Sequence, residues 1–258
     1  METALTPGQV EQQAWSAGEL QGDPHQHESK ATKVRSMFGA IAGSYDLNNR
    51  VHSFGRDQAW RRTAVKKAAP KPGERVLDCA CGTGDLTRAF AASGVEEVVG
   101  LDFTPEMLEI ARRKPMKSGA PVRYLDGDAM ALPFEDSEFD IVSIAFGIRN
   151  VADPMKALRE FRRVLRPGGR LVILEFGLPR SKVVRFFHDL YTCRIMPFTA
   201  TLISRDRSGA YRYLPRSVNT FQDRSAMESS MAEAGFGDIE VTSMTTGVCL
   251  CYVGHLSE

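Results

Sequence analysis

The stretch Val76-Leu77-Asp78-Cys79-Ala80-Cys81-Gly82-Thr83-Gly84-Asp85-Leu86 constrains the fold more than any other part of the chain. Val76 and Leu77 read as a short buried strand, bounded by Pro72-Gly73 before and a glycine turn after. Gly82 and Gly84 supply the backbone freedom for a tight strand-to-helix turn and let a ligand approach the main chain without a Cβ in the way. From Asp85 onward, Leu86, Phe90 and Ala91 recur at helical spacing, so the turn opens a helix whose free N–H groups face the ligand. This is the pattern of a binding loop in an α/β sheet.

The rest of the chain repeats the alternation. Glu97 to Leu101 reads as a second strand ending at Asp102, and Thr104-Pro105-Glu106 as a helix start with an N-cap, a proline at the first position and an acid in the first turn. Val122 to Leu125 is a third strand, ending near Asp128-Ala129. Phe139 to Phe146, nearly continuous in apolar residues, is a fourth, buried on both faces. Asp153-Pro154 opens another helix, and Arg170 to Leu174 is a fifth strand ending at Glu175. Strands alternating with helices at this spacing imply a parallel, doubly wound sheet. Ahead of it, Val34, Met37, Phe38 and Ile41 fall on one helical face; Tyr45 to Asn49 and Ser53 to Gly55 are expected to form a pocket-lining connection. Behind it, residues 177–220 form an insertion long enough for a lid, followed by a helix from Ala226 to Ala234. Asp238 to Met244 and Val248 to Val253 then read as an antiparallel hairpin.

Residues 1–29 are polar and lack sustained periodicity, so they are expected to be a disordered extension of a single domain over 30–258. That domain divides into N-terminal helices (30–70), a ligand-binding core (71–176), the lid (177–220) and the C-terminal helix and hairpin (221–258). A net charge of +1 gives no global case for nucleic acid. No apolar run is long enough to cross a bilayer, and Met1 to Lys30 lacks the basic start and apolar segment of a signal peptide, so the protein is expected in the cytoplasm. Arg159, Arg162, Arg163 and Arg166 lie on one helical face, read as a solvated basic surface, with contact to anionic lipid at the inner face of a membrane as the alternative. The two C-x-C pairs, Cys79/Cys81 and Cys249/Cys251, lack zinc-type spacing or a histidine partner and read as buried thiols; no metal site is expected.

In an open α/β sheet the ligand sits beyond the carboxyl ends of the strands. Asp102 follows Gly82 at the spacing of an acid that holds ribose hydroxyls, but Thr87 stands where a dinucleotide fingerprint has its third glycine. Asp78 and Asp85 flank the turn where a pyrophosphate would dock, and carboxylates there would repel it. They suit a ligand bearing an ammonium and a sulfonium, S-adenosylmethionine.

Asp78-x-x-x-Gly82-Thr83-Gly84-Asp85 with Asp102 resembles the class I methyltransferases. From about Val34 to Gly254 the chain is similar to the ubiquinone/menaquinone-biosynthesis C-methyltransferase family. The similarity rests on Tyr45-Asp46, Ser53-Phe54-Gly55, Ala131 to Phe134, Phe146-Gly147-Ile148-Arg149-Asn150-Val151, Arg163 to Leu171, and Tyr211-Arg212-Tyr213-Leu214. Against the family pattern the chain carries Asn48, His52, Asp57, Ala145 and Gly177 where other residues are usual.

The resemblance implies a Rossmann-like, mostly parallel seven-stranded sheet with a C-terminal antiparallel hairpin. It implies methylation of a ring carbon on a reduced polyprenyl quinol, with demethylmenaquinol as acceptor or, alternatively, the ubiquinone-pathway 2-polyprenyl-6-methoxybenzoquinol. Cofactor contacts are expected from Asp78, Gly82, Thr83, Gly84, Asp102, Asp128 and Ala129. Arg149 and Asn150 are expected to face the transferred methyl, Arg149 stabilising a quinolate oxygen, with a structural pair to a nearby carboxylate as its alternative. Tyr45, His188, Tyr211 and Tyr213 are the candidates for the acceptor pocket. The expected partners are the prenylated quinol, a membrane surface and a second copy of the chain. A same-fold methyltransferase for another phenolic or lipid acceptor and a non-catalytic scaffold remain as rivals.

Overall fold

A computed structural model describes residues 14–16, 18–116, 119–204 and 208–257. Seven strands form one sheet: β1 (Arg75–Cys79), β2 (Glu97–Asp102), β3 (Val122–Asp126), β4 (Phe139–Ala145), β5 (Leu165–Phe176), β6 (Gly237–Met244) and β7 (Cys249–His255). Their order is β3-β2-β1-β4-β5-β7-β6. β1 to β5 pair in parallel, and β7 runs antiparallel between β5 and β6. The expected hairpin therefore closes the sheet, with β6 at the edge.

Alternate residues of the central strands feed opposite layers. Leu77, Val142, Ile144, Leu171 and Ile173 pack with α5 (Pro154–Val164) and α9 (Arg224–Glu233). Val76, Val98, Ile141, Val172 and Leu174 pack with α2 (Arg56–Ala68) and α3 (Asp85–Ala91). Cys79, Cys81, Cys249 and Cys251 are free, buried thiols. β5 begins earlier than expected, at Leu165; Gly168, at φ +74°, sits where its pairing with β4 shifts register.

Four further helices cover the carboxyl end of the sheet: α1 (Lys30–His52), α6 (Lys182–Leu190), α7 (Met196–Ser204) and α8 (Ala210–Thr220); α4 (Pro105–Arg113) flanks them. Two expectations change here. Tyr45 to Asn49 are not a connection but the last turns of α1, because no proline interrupts the run until the chain turns at Ser53-Phe54-Gly55, with Gly55 at φ +71°. The expected disorder over 1–29 is also corrected for the described part of that segment. Trp15 is fully buried in a cluster with Val34, Met37, Met107 and Tyr213, and its ring stacks on Tyr213 with centroids 4.9 Å apart. Lys33 Nζ donates to Ala14 O at 2.8 Å, and the His25 ring bonds Ser217 O at 2.8 Å. One large aromatic was enough to anchor a polar stretch; residues 1–13 lie outside the described residues.

The basic face of α5 is largely neutralised. Arg163 pairs with Glu160 and Asp136, and Arg166, already in β5, pairs with Asp140 at 2.7 Å. Among the described residues, no helix is long and apolar enough to cross a membrane.

Candidate active site

Strand order reverses between β1 and β4, and the crevice beyond their carboxyl ends is where such a sheet binds ligands. Both strands leave the sheet through a strained residue: Ala80 has φ +49° and Phe146 φ +57°, conformations that cost free energy for side chains with a Cβ. Gly147 is held against Ala80; a Cβ there would lie 2.6 Å from the Ala80 Cβ. The two loops thus form one floor under a narrow cleft of about 80 Å³.

The cleft is lined by Gly82, Asp102, Asp128, Ala129, Ala145 and Asn150 among others, with Phe103, Met107 and Met130 as apolar walls. Asp102 is 6% exposed; one carboxylate oxygen accepts from Gly82 N at 2.8 Å and the other from Thr104 N at 2.9 Å. Burial raises its pKa against those two bonds. Each oxygen keeps a lone pair for a ligand hydroxyl. Asp128 is exposed and accepts from Met130 N at 2.8 Å.

Asp78, Thr83 and Gly84, also expected at the cofactor, are not among the described residues that line the cleft. Asp78 is 1% exposed, and its oxygens accept from Thr87 Oγ1 at 2.6 Å and Ser143 Oγ at 2.8 Å. Burial pushes its pKa up to about 6. It lies on β1 facing inward, so it ties the glycine turn to α3 and β4. Thr83 Oγ1 donates to Asp46 Oδ1 at 2.6 Å and accepts from Lys114 Nζ at 2.8 Å. Gly84, at φ +78°, is the turn residue where a Cβ would overlap the Tyr124 hydroxyl. Asp85 faces Lys114 at 2.9 Å and Arg88 at 2.6 Å. Burial opposes its ionisation, but Lys114, Arg61 and Gln58 outweigh that and hold its pKa at about 2. The carboxylates flanking the turn therefore brace it.

A second cavity of about 480 Å³ adjoins the cleft beneath the helical cover. Tyr45, His188, Tyr211 and Tyr213, the residues proposed for the acceptor pocket, line it together with Arg149, and Phe38, Tyr45 and Phe146 border both spaces. Arg149 and Asn150, neighbours on the short helical turn Ile148–Asn150, divide between them: Asn150 lines the cleft, Arg149 the cavity. Arg149 is 4% exposed; its Nη1 donates to Glu175 Oε1 at 2.6 Å and to Phe146 O at 2.8 Å. The alternative reading of a structural pair is thus met by Glu175. The buried Nε, however, makes no hydrogen bond, and such an orphaned donor calls for a partner. Asn150 Nδ2 donates to Phe146 O at 3.1 Å, and Tyr213 Oη donates to Asn150 Oδ1 at 3.0 Å. Lys30 Nζ donates to Val151 O at 2.5 Å; burial pulls its pKa down to about 8, with Asp23 opposing.

Sequence reasoning missed a second buried ion pair in the cavity wall, Arg61 to Asp57 at 2.9 Å. Its signal was present as an i,i+4 pair on α2. It also missed Trp15, whose signal was a lone tryptophan in a polar stretch, and Lys114, which no local pattern connects with Thr83.

The ubiE/COQ5 methyltransferase family matches the chain over residues 26–255. The chain belongs to this family. It is 51% identical over 220 residues to the demethylmenaquinone methyltransferase of Thermus thermophilus, covering 84% of this chain and 99% of the relative. It is 40% identical over 232 residues to the ubiquinone/menaquinone biosynthesis C-methyltransferase UbiE of Shewanella sediminis, covering 88% and 92%. Among solved structures, an S-adenosylmethionine-dependent methyltransferase from Thermotoga maritima aligns with a TM-score of 0.61 at 21% identity, covering 86% of this chain and 99% of that one, which shows the shared fold. As a family member the chain is an S-adenosylmethionine-dependent C-methyltransferase.

Proposed function

We propose that the chain methylates a ring carbon of a reduced polyprenyl quinol, with demethylmenaquinol as its acceptor. The observation that carries this reading is the shared wall: Tyr45 and Phe146 border both a cleft that carries carboxylates and an apolar cavity, so two ligands of different character can meet there.

The cleft fits S-adenosylmethionine in its donor set. None of the described residues lining it is a lysine or arginine, while Asp102 and Asp128 bring carboxylates. A pyrophosphate would find no counter-charge, whereas a cationic nucleoside is favoured. Asp102 would take the ribose hydroxyls and Asp128 with Ala129 the adenine edge. The Gly82 main chain, at φ +54° with open space where a Cβ would stand, leaves room for the amino-acid end. The cofactor supplies an electrophilic methyl group on a sulfonium.

The chain's own contribution is orientation and charge. Phe38, Tyr45 and Phe146 hold the flat acceptor ring at the junction, and holding reactants in line can supply up to about 7–11 kcal/mol. Arg149 cannot lose its proton, so its unpaired Nε is a permanent donor for the quinolate oxygen that makes the ring carbon electron-rich. Glu175 fixes the guanidinium so that this donor needs no rearrangement. Once the ring carbon carries the methyl group, its C–H bond breaks and the proton passes to a water molecule, which restores the aromatic quinol.

The test is direct. Purified protein is incubated with methyl-labelled S-adenosylmethionine and, separately, reduced demethylmenaquinone or 2-polyprenyl-6-methoxybenzoquinol. Label in the first product is expected; label in the second alone moves the assignment to the ubiquinone pathway, and label in neither ends it.

A further inference from the structure

The segment from Lys182 to Ser204 is one continuous helical rod, α6 and α7 joined through a π-helical turn at Tyr191–Ile195. Its inner side carries His188, Tyr191, Thr192 and Met196 into the cavity wall and buries Ala200 completely. Its outer side is apolar and uncovered: Phe186 is 65% exposed, Phe187 62%, Phe198 73% and Leu202 71%, with Val183 and Leu190 alongside. Val183, Phe186, Phe187 and Leu190 keep α-helical spacing, and Phe198 and Leu202 do so again. Between the two sets the wider π turn accommodates one extra residue, so the stripe stays on one face. Tilted against Tyr191 at 5.7 Å is Phe54, 79% exposed on the turn after α1, where it also borders the cavity. An apolar surface of this extent is an interaction site.

Charge identifies the partner. Between Gly177 and Ser204 the basic residues are Arg180, Lys182, Arg185 and Arg194, against Asp189 as the one acid. Arg180, Lys182 and Arg194 are exposed, while Arg185 pairs with Asp189 at 3.4 Å. Aromatic residues flanked by cations form the face of a helix that lies in the interface of an anionic bilayer. From this we infer that the outer face of the 182–204 rod, with Phe54, docks on an anionic phospholipid surface and sets the cavity mouth at the lipid. This differs from the α5 surface that the sequence offered as an alternative lipid contact, where Arg163 and Arg166 are paired with carboxylates. Docking rests on the surface itself; that a prenyl chain passes from the bilayer into the cavity rests on the function proposed above.

The test uses the full chain and flotation with vesicles of equal parts phosphatidylglycerol and phosphatidylcholine, beside vesicles of phosphatidylcholine alone. The wild type is expected to float with the anionic vesicles. Phe186→Ser/Phe198→Ser should lose roughly tenfold or more in partition, and Lys182→Glu/Arg194→Glu should bring binding to the anionic vesicles down to the neutral-vesicle level. Circular dichroism confirms that each variant is folded. Both variants should methylate a prenyl-free quinol head group in solution at the wild-type rate, yet lose turnover on a long-chain quinol held in vesicles. Flotation without methylation of either quinol leaves docking standing and removes the functional reading; methylation without flotation does the reverse. Variants that float like the wild type overturn the inference. So does a wild-type dimer in sedimentation velocity that the phenylalanine variant dissociates while neither binds vesicles, since the face would then be a contact between copies.

Discussion

The cleft and the cavity share a wall but are built by opposite means. The cleft is made of strand ends: Ala80, Gly82, Asp102 and Gly147 are set by the central sheet, and the left-handed turns at Ala80, Gly82 and Phe146 and the Gly82–Asp102 hydrogen bond are local consequences of β1, β2 and β4. The cavity is made of helices brought from both ends of the chain, with α1 and α2 on one side and the 182–204 rod and α8 on the other. A site built on a sheet can keep one cofactor geometry while a helical cover varies with the acceptor. Under the proposed function, the fixed half would set the methyl donor's position and the variable half its destination.

If that division holds, substitutions should separate cleanly by half. The largest effect is expected at the wall between them. Arg149→Met leaves Glu175 buried without its partner and should destabilise the protein by about 3–5 kcal/mol. Adding Glu175→Gln should recover much of that in thermal unfolding, while turnover on the quinol stays about 100- to 1000-fold down with cofactor affinity unchanged by calorimetry. Recovery of turnover together with stability would reduce Arg149 to a structural residue. Trp15→Ala should cost up to about 3–5 kcal/mol, because a fully buried ring is removed from its stack on Tyr213; a variant with unaltered unfolding would free the N-terminal segment from the cover.

Within the cleft, Asp102→Asn keeps the size of the side chain but loses its charge and one acceptor. Cofactor affinity should fall by roughly 10- to 100-fold, corresponding to about 1.4–2.8 kcal/mol, with the acceptor's KM little changed. A shift confined to the acceptor would break the division of labour. Asp85 tests the brace under the glycine turn. Its pKa lies below its ordinary value of 3.8, at about 2, so its contribution is present above pH 4 and is lost as pH falls towards 2. Up to about 2 kcal/mol of stability should disappear over that window in the wild type and not in Asp85→Asn. The smallest effect is expected from Tyr213→Phe, which removes one hydrogen bond to Asn150 and should cost about 1 kcal/mol; equal losses in cofactor and acceptor binding would show that Asn150 couples the halves.

The parallel core was legible because period-two burial, turn glycines and acids at strand ends are local signals. The Gly82 turn, Asp102, Asp128-Ala129 and the strand ends at Ala145 and Glu175 stand where the alternation placed them. Asp78 and Asp85 point the other way. Their sequence position beside the turn suggested repulsion of a phosphate, but among the described residues the cleft's own carboxylates are Asp102 and Asp128, with no lysine or arginine lining it. Which side of the turn a carboxylate faces depends on the twist and register of β1, and adjacency in sequence does not contain that.

The sequence by itself determined the sheet, the ligand end of it and, through its motif resemblance, the family. Those follow from hydrogen-bonded neighbours and side-chain periodicity over a few residues. Only the tertiary structure decided that Trp15 is core, that Arg149 spends one nitrogen on Glu175 while its Nε makes no hydrogen bond, and that the phenylalanines of the 182–204 rod face outward while its histidine and tyrosine face in. Each of these depends on contacts between segments distant in the chain, or on a π turn whose extra residue shifts the phase of everything after it.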